Sequence, residues 1–225
     1  MNPPPRDPLD AHDRDLVARC LRGRVIVIDD DLDILDAFSR LISLEGYACE
    51  TYPGARAYLQ VLDCNRPLHA GPVCVLCDVK MPEMDGLQLQ ARLRQYGEVP
   101  MLLMSGSSGA EEAVGGFRAG ALDFLIKPID AGQLLESIGK ALAVSRERQS
   151  ASSRREAVAA RVGTLSAREL AVARLVAVGV TNLGVSLELG ISERTVKFHR
   201  QRLMAKLGIA GTPELVRLLQ EFDAV

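Results

Sequence analysis

Five short apolar runs recur between residues 24 and 126, and each stops at a polar or charged group. They are the segments 24–28, 47–51, 73–77, 100–104 and 122–126. Runs this apolar and this short suit strands covered on both faces, which is the situation in a parallel sheet flanked by helices. Helix-period segments lie between them. Ile34, Leu35, Phe38, Leu41 and Ile42 form one apolar stripe closed by Gly46, and Leu134, Leu135, Ile138 and Leu142 form another after the last run. Five strands alternating with helices predict a doubly wound α/β domain with right-handed crossovers.

In such a sheet, ligand chemistry gathers at the carboxyl ends of the strands. Here those ends carry Asp29, Asp30 and Asp31, then Asp78, then Ser105, then Lys127-Pro128. Each alone has a dull explanation: a strand-end Asp is a common turn former or helix cap, and Asp31 suits the cap best because it directly precedes a helix. Occurring together, in chain order and each at a strand end, they suggest one site. Clustered carboxylates need a neutralising cation. Magnesium takes one or two carboxylates, keeps water and leaves room for phosphate oxygens. Asp78 is then the candidate nucleophile toward a phosphoryl group, with Lys127 and Ser105 on the phosphoryl oxygens.

The bulk numbers exclude other classes. A net charge of −2 offers no global basic field, so any nucleic-acid signal must be local. No apolar stretch reaches the ~18 residues of a membrane span, and the Pro-rich start lacks a secretory core, so no membrane partner is expected and the cytoplasm is the expected compartment. Cys74 and Cys77 spell C-x-x-C, but three positions apart on a strand they face opposite ways, which argues against a redox or zinc pair.

Local basic charge appears from Ile191 to Leu207. Arg194, Lys197, Arg200, Arg202, Lys206 and His199 face the single acid Glu193, with Val196, Leu203 and Leu207 on the other side. Ser192 caps this helix. A shorter helix over 182–189 precedes it across a Gly190-centred turn, which predicts a helix-turn-helix. Ser166 and Glu169 form a capping-box pattern for an earlier helix from Ala167 to Gly179, and Pro213 starts a fourth. A small all-α domain is expected over 164–225. Residues 1–22 form a leader, 23–145 the α/β domain and 146–163 a helical extension or linker.

Residues 24 to about 145 resemble the receiver domain of two-component response regulators. The resemblance rests on Ile28-Asp29-Asp30-Asp31, on Asp78 with Met81-Pro82-x-x-Asp85-Gly86, on Ser105-Gly106 and on Lys127-Pro128. It implies a flavodoxin-like sheet of order 2-1-3-4-5 and a phosphoryl group passed to Asp78 from a phosphohistidine of a sensor histidine kinase. It implies Mg2+ held directly by Asp30, Asp78 and the Lys80 main-chain carbonyl, with Asp29 acting through water. It further implies a cis peptide before Pro128 and a switch formed by Ser105 and Phe124. Gly115-Gly116 interrupts the helix before the last strand, which is therefore expected to be short or mobile.

Residues 164–220 resemble the LuxR-type output domain of NarL- and FixJ-like regulators. Leu165-Ser166-x-Arg168-Glu169, Thr181-Asn182, Leu189-Gly190-Ile191-Ser192-x-Arg194-Thr195-Val196-Lys197-x-His199 and Lys206-Leu207 carry that likeness. It implies that Lys197, Phe198 and Gln201 face DNA bases and that Thr195, His199, Arg200 and Arg202 approach phosphates, with Arg194 in the same basic set. Residues 213–220 would form a dimer helix. Leu183-Gly184 departs from the polar residues usual there, and a lost phosphate contact is expected. The function implied is a phosphorylation-regulated transcription factor that dimerises on promoter DNA, with RNA polymerase a further partner. No enzymatic activity is expected beyond self-catalysed phosphotransfer and autodephosphorylation. The competing reading is a receiver-containing regulator that acts through protein–protein contacts, its DNA-binding domain degenerate.

Overall fold

The computed structural model describes residues 22–63, 71–106, 115, 116, 118 and 120–224. The leader, and most of the helix expected around Gly115-Gly116, lie outside the described residues. The chain forms two compact units, residues 1–149 and 150–225.

In the first unit, strands β1 (Arg24–Ile28), β2 (Ala48–Tyr52), β3 (Val73–Asp78), β4 (Met101–Ser105) and β5 (Asp123–Ile126) form one sheet of order β2-β1-β3-β4-β5. All four pairings are parallel. This is the expected order. Helices α1 (Leu32–Leu44), α2 (Ala55–Asp63) and α3 (Gly86–Leu93) belong to it, with a 3-10 turn at Arg94–Tyr96, and α4 (Ala131–Gly163) begins in it.

Every residue of β3 is buried, as expected of a central strand covered on both faces. The period-2 alternation sends Ile26, Ile28, Val75, Cys77 and Leu103 to one face, against Tyr58, Leu59 and Leu62 of α2 and Leu89 and Leu93 of α3. Val25, Val27, Cys74, Leu76, Leu102, Met104 and Leu125 go to the other. There they meet Leu35 and Ile42 of α1 and Leu134, Ile138 and Leu142 of α4. Cys74 and Cys77 thus belong to different cores. Burial pushes both thiols above their ordinary value, which leaves them apolar filler rather than a reactive pair.

In the second unit, α5 (Ala167–Ala177), α6 (Asn182–Leu189), α7 (Glu193–Leu207) and α8 (Thr212–Asp223) surround one core. Val172 and Val176 of α5, Val185 of α6, Val196, Leu203 and Leu207 of α7, and Leu215, Leu218 and Leu219 of α8 fill it, together with Val158 and Val162 near the end of α4. The start signals work as the spacing predicts. Ser166 accepts from Glu169 N while Glu169 accepts from Ser166 N, a full capping box, and Ser192 accepts from Thr195 N. Between α6 and α7 the chain turns on Gly190 at φ +63°, a left-handed conformation that other residues adopt at a cost.

Glu169 also ties α5 to α7. Buried at 3% exposure, it accepts from Lys206 Nζ at 2.6 Å, and Lys206 also donates to the Thr164 carbonyl at 3.1 Å. Lys206, counted with the basic helix in the sequence, is therefore a structural cation. The Lys206 ammonium, followed by the Ser166 N–H, holds the Glu169 carboxyl down at about 2 against an ordinary 4.5. A depressed carboxyl stabilises the fold above its unfolded value and loses that contribution as pH falls through its folded value. Glu169→Gln should therefore cost about 2 kcal/mol at pH 7, the usual size for a charge-assisted hydrogen bond. The gap from wild type should close as pH falls from 4.5 to about 2. Urea unfolding followed by circular dichroism across that range checks it; a gap independent of pH would contradict it.

Candidate phosphoryl site and nucleic-acid interface

Strand register builds the acidic site. Ile28 pairs with Cys77 across β1 and β3, so Asp29 and Asp78 leave neighbouring strands side by side. Ser105 ends β4 and Lys127 follows β5, and the Lys127 N–H donates to the Ser105 carbonyl at 2.7 Å. The Lys127–Pro128 peptide is cis. Lys127 Nζ lies 2.7 Å from Asp29 Oδ2 and 2.6 Å from Asp78 Oδ1. Asp29 is 1% exposed and Asp78 6%. Each carboxylate has its second oxygen engaged as well: Asp78 Oδ2 accepts from Lys80 N at 2.6 Å, and Asp29 Oδ1 from Asp31 N at 3.0 Å.

Burial is the largest influence on Asp78 and raises its carboxyl above the ordinary range, with the Lys127 hydrogen bond opposing it. Burial alone would lower the Lys127 ammonium. Its bonds to Asp29 and Asp78 outweigh that and raise it, so the cation stays protonated. Two carboxylates against one ammonium leave one negative charge in excess at a buried strand-end site.

The loop after β3 is shaped to keep Asp78 in place. Gly86 N donates to Val79 O at 2.9 Å, closing the loop on itself. A Cβ on Gly86 would sit 2.5 Å from the Asp78 carbonyl oxygen, closer than any side chain tolerates. Asp85 caps α3 through a reciprocal pair with Gln88. Its Asp-x-x-Gln spacing is the sequence signal for that cap.

Asp29, Asp78 and Lys127 meet. Lys80 contributes its main-chain N–H. Ser105 is buried at 2% exposure on the adjoining strand end, whereas Asp30 is exposed. Asp31 caps α1, accepting from Asp33 N and Ile34 N. Phe124 is half-buried against the α2–α3 face of the sheet, opposite Leu103 in register. Among the described residues no three His, Cys, Asp or Glu side chains are grouped to hold a metal ion.

Helix α7 divides its polar residues by rotation. At roughly 100° per residue, Arg194, Phe198, Gln201 and Ala205 fall on the side away from buried Val196, and Arg202 lies beside them. Arg194, Lys197, Phe198, Gln201 and Arg202 are exposed. His199 and Arg200 turn back toward the domain and are half-buried. Arg200 Nη1 donates to Asn182 Oδ1 at 2.6 Å, so this arginine, expected near phosphates, is engaged by the first residue of α6. Asn182 had not been singled out for this role, because a contact between two helices leaves no local spacing. Thr195 Oγ1 lies 2.8 Å from Ser192 Oγ in the capping turn.

Residues 25–139 match the family of response regulator receiver domains, and residues 163–219 match the bacterial regulatory proteins of the luxR family. The chain is a response regulator. It carries a receiver domain and a LuxR-type DNA-binding domain, and it regulates transcription in a two-component system. The response regulator protein TodT of Pseudomonas putida is 36% identical over 197 residues, 87% of this chain and 85% of TodT. The transcriptional regulatory protein FixJ of Azorhizobium caulinodans is 34% identical over 195 residues, 86% of this chain and 90% of FixJ. Among solved structures, the response regulator StyR aligns at a TM-score of 0.79 and 30% identity, over 88% of this chain and 98% of that one. In this response regulator, no helix among the described residues is long and apolar enough to cross a membrane.

Proposed function

We propose that Asp78 is the phosphoryl acceptor, and that its phosphorylation controls DNA binding by α7. The observation that carries this is the pairing of two buried carboxylates, Asp29 and Asp78, across one ammonium at the end of the central strand. The Asp78 oxygen attacks phosphorus, an acyl phosphate forms, and the bond to the donor's imidazole nitrogen breaks. The donor on this reading is a phosphohistidine of a sensor histidine kinase. Lys127 is close enough to pass from the Asp78 carboxylate to a phosphoryl oxygen, and the Ser105 hydroxyl offers a second donor. Phe124 responds with Ser105. The same groups serve self-catalysed phosphotransfer and autodephosphorylation, the two catalytic acts this reading assigns to the chain.

The site's chemistry fits magnesium. Its donors are hard oxygens, the carboxylates carry the excess negative charge, and the ion needs few protein ligands. Asp78 and Asp30 would hold it with the Lys80 carbonyl, Asp29 acting through water, and it would neutralise the phosphoryl oxygens. Residues 23–145 carry this chemistry, 146–163 extend a helix, and 164–225 bind promoter DNA as a homodimer in the cytoplasm, with RNA polymerase the further partner. The rival reading, an output domain that no longer reads DNA, leaned on Leu183-Gly184. Gly184 has a packing reason: a Cβ there would lie 2.6 Å from Val180 Cγ1, and Thr181 caps the intact α6 by accepting from Gly184 N.

Beryllofluoride with magnesium mimics the phosphoryl group and tests the reading. The treated protein should shift from monomer to dimer in size-exclusion chromatography. It should bind its promoter DNA at least ~10-fold more tightly, with affinity falling steeply as salt rises. Salt-independent binding, or none, would remove the DNA-binding output.

A further inference from the structure

Helix α6 is apolar on both of its faces. Val185 is fully buried in the domain core, which accounts for one of them. At roughly 100° per residue, Leu183, Gly184 and Leu187 fall on the other. Leu183 is 56% exposed and Leu187, one turn on, 76%. Gly184 beside them lets Val180 lie on the helix, and Val178, in the preceding turn, is 78% exposed. No charged residue occurs from Leu175 to Leu187. The outer faces of α5 and α8 are different: Arg168 and Arg174 stand exposed on one, and Glu214, Arg217 and Glu221 on the other.

A helix that is apolar all round is suited to being covered all round. DNA does not suit the outer face, because the first helix of a helix-turn-helix crosses the backbone, where phosphates offer charge. Absence of charge is instead the mark of the centre of a protein interface. About a two-fold axis, each residue near the axis meets its own counterpart, so a charge there faces its like. A charge-free patch pairs with itself without that cost. Dimers on successive palindromic sites present their adjoining protomers about just such an axis. The area sets the condition: three such side chains expose on the order of 300 Å², well under the ~800 Å² per partner of a stable complex. That is too little to join two copies in solution, but it counts once DNA holds them side by side at high effective concentration. We propose that the outward face of α6 joins copies of this chain bound at neighbouring DNA sites, apolar face to apolar face, so that filling one site favours the next. This rests on DNA binding through α7 and adds a protein–protein contact that α7 does not make.

The full-length protein, treated with beryllofluoride and magnesium, can be used to enrich a binding site from randomised duplexes. That site is then placed singly, or twice in tandem at spacings stepped by one base pair. At a favoured spacing wild type should fill the second site about ten-fold more tightly than an isolated one, within the usual range of coupling between sites. Inserting half a helical turn, about 5 base pairs, should abolish the gain by rotating the two copies apart. Leu187→Gln removes exposed apolar surface and adds no charge. Its affinity for the isolated site should stay within about a factor of two of wild type, with the same salt dependence, as for other surface changes. Its gain on tandem sites should nearly vanish, and Leu187→Met should keep most of it. If wild type fills tandem sites independently at every spacing, or Leu187→Gln keeps the full gain, the proposal fails and DNA binding stands. It fails equally if the only loss in Leu187→Gln is in transcription with added RNA polymerase, since the face then docks polymerase. If no site is enriched, the reading of α7 as recognition helix fails, and this proposal with it.

Discussion

Asp78→Asn is expected to leave the protein unable to hold a phosphoryl group, while its fold survives. The amide oxygen of Asn can still accept from the Lys80 N–H, which lies 2.6 Å from Asp78 Oδ2, and Lys127 keeps Asp29 as its partner at 2.7 Å. What disappears is the nucleophilic oxygen, and no neighbour replaces it: Asp29 is at 1% exposure and already bound at both oxygens. Incubated with magnesium and a small acyl phosphate, wild type should give a retarded band in phosphate-affinity electrophoresis. Hydroxylamine, which cleaves acyl phosphates, should collapse it. The Asn variant should show no retarded band, a complete loss rather than a graded one. An equally strong, hydroxylamine-sensitive band from the variant would place the acceptor elsewhere.

Removing the cation should be the more damaging change for stability. Lys127→Met leaves the buried Asp29 and Asp78 side by side with no ammonium between them. Stripping one member from a buried charge cluster typically costs about 3–5 kcal/mol, since the remaining charges stay desolvated. In EDTA at pH 7 the receiver of the Met variant should therefore unfold at markedly lower denaturant. Magnesium should restore more stability to the variant than to wild type, because a divalent ion then supplies the missing positive charge and binds only the folded site. A loss below about 1 kcal/mol in EDTA, within the range of exposed ion pairs, would mean that Lys127 is solvated rather than central to the site. Phosphoryl acceptance should also fall in this variant, which separates it from a purely structural lesion elsewhere in the core.

Much of this was legible in the chain because it is periodic or local. Near-continuous apolar runs on β1, β3 and β4 marked the sheet, and the predicted strand bounds lie within a residue of the observed ones at all five strands. Capping patterns at Ser166 and Ser192 set helix starts because their partners are three residues away. Asp29, Asp78 and Lys127 were found as strand ends, which a parallel sheet brings to one edge whatever the loops do.

Contacts between distant segments were not legible. Lys206 and Arg200 sit in one basic run, yet Lys206 is committed to Glu169 and Arg200 to Asn182. Both partners are on other helices, at separations the fold alone sets. The exposed set Arg194, Lys197, Phe198, Gln201 and Arg202 emerges only once those two are subtracted and Val196 is seen to face inward.

The sequence by itself determined the alternation of elements, the four strand-end groups and the basic helix, because each follows from short-range sterics, hydrophobic period and capping. Only the tertiary structure decided that Lys127 spans Asp29 and Asp78, that Gly86 must admit the Asp78 carbonyl, and which faces of α7 stay open. Those depend on where separate strands and helices come to rest against each other, and there burial, rather than neighbourhood in the chain, chooses the partners of Lys127 and Glu169.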